Sequence, residues 1–324
     1  MIFIEHFEHA KNYHQKVLNC WFIHKLYKKS DLKKVEYECD LLNCECCKEI
    51  NEHGAYKERK YYEYLNEPIR EFLKENLENI FTNDFSKLKE FYQSNILLIS
   101  RNENELKKFI IESTYTDFFQ KKCGRKFLNL LNINTCLSCN INYTLEVTKS
   151  HSRAQLDHFL PKTHFPILGV NFYNLIPVCA RCNHLKGSGK SKKWWFTNYN
   201  KIYHPYFKEE EIFKFNFSFS KTKNEFEIEF IKSSIKDFKT IEVNRLHDIY
   251  SAHRDFELRD LYNLRIKYNE NYLDQVLSFF EKNGLTRSEC YEMIFGISVD
   301  EKKYSKRPFS KFKSDIIEEL LKIK

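Results

Sequence analysis

Over the first 131 residues, apolar and aromatic positions recur at steps of three and four, the spacing that gathers them on one face of an α-helix. Phe3 to Tyr27 follows this pattern, as does Tyr56 to Ile99, where Tyr61, Tyr64, Leu65, Ile69 and Phe72 align. A cysteine-rich interruption, Cys39 to Gly54, separates the two stretches. Asn83-Asp84 offers a helix cap before Phe85, and 103–131 continues the helical spacing through Leu106, Phe109, Ile110, Phe118 and Phe119. After residue 203 the period changes to two. Phe213, Phe215, Phe217 and Phe219 alternate with polar residues, Lys221-Thr222-Lys223-Asn224 interrupts, and Phe226, Ile228 and Phe230 resume, which predicts a β-hairpin with a polar turn. From Ser233 to Lys282 helical spacing returns, with Leu246, Ile249, Tyr250 and His253 and then Leu258, Leu261 and Leu264; Gly284 is placed to end it. No internal repeat of solenoid length is present.

Composition narrows the class. With 324 residues and 42% hydrophobic content the chain can build one large domain, or two to three small ones around a shared core. Only 7 Gly and 6 Pro against 16% aromatics exclude a linker-rich or largely disordered protein. No apolar run of about 18 residues exists, and Met1 to Lys11 lacks the cationic start and apolar stretch of a signal peptide, so no membrane association and a cytoplasmic location are expected. In that compartment thiols stay reduced, and 11 cysteines then call for metal ligation rather than disulfides. The net charge of +8 is unevenly spread: residues 120–203 carry 13 Lys or Arg against only Glu146 and Asp157, a local net of +11 that leaves the remainder at −3. Such a segment is either a solvated basic face or a phosphate-binding surface.

Within it lie two knuckle-type pairs, Cys136-x2-Cys139 and Cys179-x2-Cys182, together four thiolates for one tetrahedral zinc ion with no position left for substrate. Between and after them run Gln155-Leu156-Asp157-His158-Phe159-Leu160-Pro161-Lys162 and Phe172-Tyr173-Asn174-Leu175-Ile176-Pro177-Val178, the second leading directly into Cys179-Ala180-Arg181-Cys182-Asn183-His184-Leu185-Lys186-Gly187. In order, spacing and residue type, 136–187 resembles the HNH (ββα-metal) endonuclease superfamily. The resemblance implies a small ββα-metal core with a structural zinc ion and a catalytic Mg²⁺ or Mn²⁺ ion.

The residue types suit that chemistry on their own terms. Phosphodiester hydrolysis needs an attacking water, a base for its proton, and positive charge at the phosphate. Asp157 offers hard oxygen to Mg²⁺ or Mn²⁺, and His158, next along a short strand, points to the other face as the candidate base. The resemblance assigns Asn174 to orienting the imidazole and the position after the last cysteine to the catalytic metal. Here that position is Asn183, a departure from the family's His, with His184 adjacent as the alternative. The resemblance also contains a loop that often carries a Gly pair, where this chain has Ile167-Leu168-Gly169-Val170. Lys186, Lys162 and Arg153 flank these elements, and Lys190, Lys192 and Lys193 interleave with Trp194 and Trp195, a mixture that suits backbone tracking with base stacking or, equally, tryptophans in the core. The expected substrate is DNA, with RNA fitting the same charge pattern.

The expected architecture is α+β: a helical region 1–131, a nuclease core with basic tail over 132–203, and a hairpin followed by helices over 204–324. Cys39, Cys44, Cys46 and Cys47 with His53 are candidates for a second zinc site, although adjacent cysteines fit knuckle spacing poorly; Cys20, Cys123 and Cys290 read as core. His204-Pro205-Tyr206 is either a turn or a trailing signature. Together with Asp-His-Phe-x-Pro-Lys and Phe-Tyr-Asn-Leu-Ile-Pro, it looks like the nuclease subunits of Septu-like anti-phage defence systems, which implies an ATPase subunit as partner. The competing expectation is a zinc-stabilised nucleic-acid-binding or scaffold module without catalysis.

Overall fold

The computed structural model describes residues 1–28, 30–31, 61–146, 154–187, 189–267 and 270–320. The architecture is α+β, mostly helical with two small antiparallel hairpins. Cys39, Cys44, Cys46, Cys47, His53 and Arg153 lie outside the described residues. Among those described, no helix is long and apolar enough to cross a membrane.

The first helix, Glu8–Leu26, buries Val17, Leu18, Trp21 and Phe22. Trp21 stacks on Phe118 at 4.0 Å between ring centres, and its indole N–H donates to Thr114 Oγ1 at 3.0 Å. The second helical stretch starts later than apolar spacing alone suggests, at Glu67. Asn66 Oδ1 accepts from the Ile69 amide and Pro68 occupies the first turn, so cap chemistry sets the boundary and leaves Tyr64 in solvent. Short helices follow, and Asp84 Oδ1 accepts from Lys87 N at the start of Phe85–Ser94, the expected cap. The 103–131 stretch is helical but not uniform. Lys107–Cys123 is wound as a π-helix between Glu103–Leu106 and Gly124–Leu131.

Strand β1 (Gln155–His158) pairs antiparallel with β2 (Leu175–Val178), with Asp157 opposite Ile176 and His158 opposite Leu175. The alternating hairpin forms as expected: β3 (Lys214–Ser220) pairs with β4 (Glu225–Ile231) across 221–224, where Asn224 takes the left-handed conformation. Beyond it the helical stretch is interrupted. Ile235–Val243, opened by a Ser234/Asp237 capping box, ends before Arg245, whose positive φ of 52° starts Leu246–Ser251 in a new direction. Glu270–Lys282 ends at Gly284, left-handed as expected.

All three regions contribute to one hydrophobic cluster. One set of hydrogen bonds joins the first cysteine pair to the far end of the chain. Asn140, left-handed between the knuckle and its return, donates to Thr135 Oγ1 at 2.9 Å and to the Tyr304 carbonyl at 2.8 Å. Its own carbonyl and side-chain oxygen accept from the amides of Phe309 and Lys311. The knuckle is thereby gripped by segment 304–311.

Candidate functional site

The four thiols predicted to share an ion do converge. Sγ atoms of Cys136, Cys139, Cys179 and Cys182 all lie within 4.8 Å of one another, and a tetrahedral zinc site with Zn–S bonds of about 2.3 Å spaces its sulfurs roughly 3.8 Å apart. Local structure explains the convergence. Cys136 and Cys139 lie on a turn closed by Asn140 N to Cys136 O at 2.7 Å, while Cys179 is the N-cap and Cys182 the first turn of helix Ala180–Leu185. Two N–H groups already point at sulfur: the Ile141 amide toward Cys139 at 3.4 Å and Asn142 Nδ2 toward Cys179 at 3.2 Å. Burial pushes the Cys136 thiol up, whereas hydrogen bonding from Cys136 pulls Cys139 down to about 7 and Cys179 lower still. Four thiols converging at this spacing are a donor set that a metal such as zinc fits, with their protons released on binding.

Helix Ala180–Leu185 packs on β1, and Cys182 and Asp157 line one small cavity. Gln155 and Asp157 share one face of β1. Asn183 Nδ2 donates to Gln155 Oε1 at 2.7 Å, so Asn183 is the residue of the Asn183-His184 pair that bonds to the strand; both are exposed. Asp157 Oδ2 is 2.6 Å from Lys186 Nζ, and the same ammonium donates to the His158 carbonyl at 2.9 Å. Burial lifts the Asp157 carboxyl above its ordinary range, against the pull of Lys186.

His158 points to the opposite face and is 6% exposed. Its Nε2 lies 3.0 Å from the Gly169 carbonyl, and because a carbonyl only accepts, Nε2 carries the proton and Nδ1 the lone pair. The Tyr115 ring meets the imidazole at 4.5 Å between ring centres, and the Tyr115 hydroxyl donates to Leu156 O. Burial, with Lys162 adding to it, lowers the imidazole to about 3, so it is neutral at pH 7.

The expected contact between Asn174 and the imidazole is not made. The Asn174 amide is fully buried and bonded three times to backbone: it accepts from Leu160 N at 2.7 Å and donates to Leu160 O at 3.1 Å and Leu168 O at 2.9 Å. It fastens the loop that follows β1, and the loop's far end, Gly169, holds His158. A Cβ at Gly169 would meet the tip of the Ile111 side chain at 2.1 Å and the Pro166 carbonyl at 3.1 Å, so the loop packs closely here. His204-Pro205-Tyr206 braces the same region: His204 Nε2 is 2.8 Å from Tyr173 O, and the Tyr206 hydroxyl donates to Leu175 O at 3.0 Å.

The basic residues are less free than their sequence suggests. Lys190 pairs with Glu242 at 2.6 Å and lies over Trp194, and Lys192 lies 3.6 Å from Glu103. Lys162 sits over the Tyr115 ring and Lys193 is exposed. Trp195 is core, 1% exposed, whereas Trp194 is only partly buried. Gly169, Gln155 and Tyr115 were not singled out by residue type; each acts through a backbone group or a neighbour, which residue identity alone does not signal.

The chain is similar to the Septu protein PtuB of Bacillus thuringiensis, with 35% identity over 74 residues, a stretch that covers 22% of this chain and 27% of that protein. The match thus spans about a quarter of the relative's length. No family model and no solved structure matches the chain.

Proposed function

We propose that this protein is a metal-dependent HNH endonuclease that hydrolyses phosphodiester bonds in DNA and serves as a nuclease effector in bacterial anti-phage defence beside an ATPase subunit. The observation that carries the reading is one arrangement: a carboxylate and an imidazole on opposite faces of β1, with the cysteine-anchored helix placing Asn183 against that strand. The similarity to a Septu protein supports the defence role.

In this reading Asp157 and Asn183, with His184 as the alternative ligand, hold Mg²⁺ or Mn²⁺; carboxylate and amide oxygens are the donors these hard ions prefer. When bound, such an ion supplies positive charge to the phosphate and the leaving oxygen. His158 Nδ1 accepts the proton of the attacking water while Gly169 O keeps Nε2–H in place. A phosphate drawn to the neighbouring face favours the imidazolium that results, countering the burial that depresses it. Lys162, Lys186 and Lys193 face the backbone phosphates, Lys190 and Lys192 extend that surface once drawn from Glu242 and Glu103, and Arg153 is assigned to the same phosphate-binding set. The four cysteines hold a structural zinc ion.

A second reading, a zinc-stabilised nucleic-acid-binding or scaffold subunit, is favoured by the Asp157–Lys186 ion pair, which engages the candidate ligand internally. Supercoiled-plasmid cleavage with Mg²⁺ or Mn²⁺ separates the two. His158→Ala is expected to lower the rate roughly 10²- to 10⁴-fold while sparing fold and DNA binding; equal rates in parent and variant would remove the enzymatic reading. Co-purification with an ATPase subunit is expected, and full activity from an isolated monomer would refute the partnership.

A further inference from the structure

Lys186 occupies a seat suited to a cation. Its ammonium lies 2.6 Å from Asp157 Oδ2 and 2.9 Å from the His158 carbonyl, with the Phe159 ring 5.4 Å and the Trp195 ring 5.7 Å away. The pair is largely withdrawn from solvent, with 10% and 13% of the two side chains exposed. Its position is pinned from behind. Gly187 is left-handed, its amide bonds to Val243 O at 3.1 Å, and a Cβ there would lie 2.2 Å from Trp195 Cζ2. The chain therefore leaves the knuckle helix at a fixed point, and the Lys186 stem delivers its charge to one place.

Asp157 is also the carboxylate on which the proposed metal site depends, and two cations on one poorly solvated carboxylate repel each other. A nucleic-acid phosphate offers the ammonium an alternative partner of the same sign as Asp157. We propose that Lys186 is a charge latch: it keeps the divalent-metal affinity of Asp157 low until a phosphate draws the ammonium away, so that metal and nucleic acid bind with positive coupling. The inference rests on the metal-site reading above. Coupling of this kind is reciprocal, so the metal tightens nucleic-acid binding by the same factor.

The test measures Mn²⁺ bound to zinc-loaded full-length chain carrying His158→Ala, by electron paramagnetic resonance, with and without a short DNA duplex. The Asp157→Asn protein serves as the blank for ions held by the duplex. With Lys186 in place, the duplex is expected to raise Mn²⁺ affinity by about tenfold. Lys186→Met, which keeps the stem and removes the charge, is expected to bind Mn²⁺ as tightly without DNA, and to show no further gain with it. Lys186→Arg is expected to retain the coupling. A purely structural role for Lys186 would instead weaken Mn²⁺ binding in the Met variant. Equal Mn²⁺ affinity with and without duplex in the Lys186 protein overturns the latch, and that measurement needs no substitution at 186. Absence of any Mn²⁺ binding above the Asp157→Asn blank, in every protein, overturns the metal-site reading and the latch with it.

Discussion

The two hairpins of this protein are built on opposite plans. β3–β4 has seven-residue strands, a four-residue turn and an aromatic row: Phe215 meets Phe230 at 5.0 Å, Tyr250 at 4.4 Å and Phe312 at 5.2 Å between ring centres. β1–β2 has four-residue strands joined by the long connection 159–174. Its support comes from outside the strands: the cysteine cluster, Asn174 inside the loop, and His204 and Tyr206 against its rim. A short isolated hairpin is at best marginal in water, so the strand bearing Asp157 and His158 is organised by its surroundings, whereas β3–β4 adds longer pairing and its own Phe215–Phe230 contact to the packing it receives from Tyr250 and Phe312.

The sharpest way to break this contrast is to remove the cluster. If it holds zinc, one ion per chain is expected by elemental analysis. Chelation or Cys182→Ser should then cost on the order of 10 kcal/mol of apparent folding energy, read as collapse of the melting transition. The comparable deletion in the other hairpin, Phe219→Ala at a half-exposed site, should cost about 1 kcal/mol. An unchanged melting curve for Cys182→Ser would show that the cluster is not the brace.

Acid should act next. His14, His158 and His204 are each lowered by burial from 6.5 to about 3, and all three touch the 159–174 connection or the residues it orients. The unfolded chain binds these protons more readily, so the stability is fully present above about 6.5 and is lost as pH falls toward 3. At pH 5 each histidine should cost about 2 kcal/mol, measurable by urea denaturation at pH 7 and pH 5. Beside β3 and β4, Asp237 behaves differently. Burial raises it, but hydrogen bonds from the Ser233 and Ser234 amides and the Tyr203 hydroxyl hold it below its ordinary range, so its contribution persists until pH falls below about 4. A stability flat between pH 7 and pH 5 would contradict the histidine assignment.

Asn174→Ala leaves Leu160 N and O without their side-chain partner, while Leu168 O keeps the Asn171 amide, and should cost about 2–6 kcal/mol, at roughly 1–3 kcal/mol for each of the two buried groups. Thermal denaturation checks it, and a loss near zero would mean that water replaces the amide. The smallest effect belongs to the other hairpin: Asn224→Gly, at a left-handed turn position either residue tolerates, should stay within about 0.5 kcal/mol.

The same contrast governs what was legible in the sequence. Alternation declared β3–β4 outright, whereas β2 is buried at all four positions and has no period to read; only the residue types around 157 and 174 located the first hairpin. Knuckle spacing brought four cysteines together because each pair is a local turn. The partner of Asn174 was not legible, since an amide bonds backbone and imidazole equally well. Nor was the Lys186–Asp157 pair, which depends on where Gly187 releases the chain. The π-wound stretch Lys107–Cys123 and the break at Arg245 were likewise hidden, because apolar spacing reports a buried face and not the winding beneath it.

The grip of residues 304–311 on Asn140 bears on biosynthesis. A polypeptide emerging from the ribosome presents Cys136 and Cys139 early, yet the turn that spaces them is not clasped until residue 311 has been made. Products cut short before that point would carry every residue of the candidate site without the clasp that holds its first knuckle.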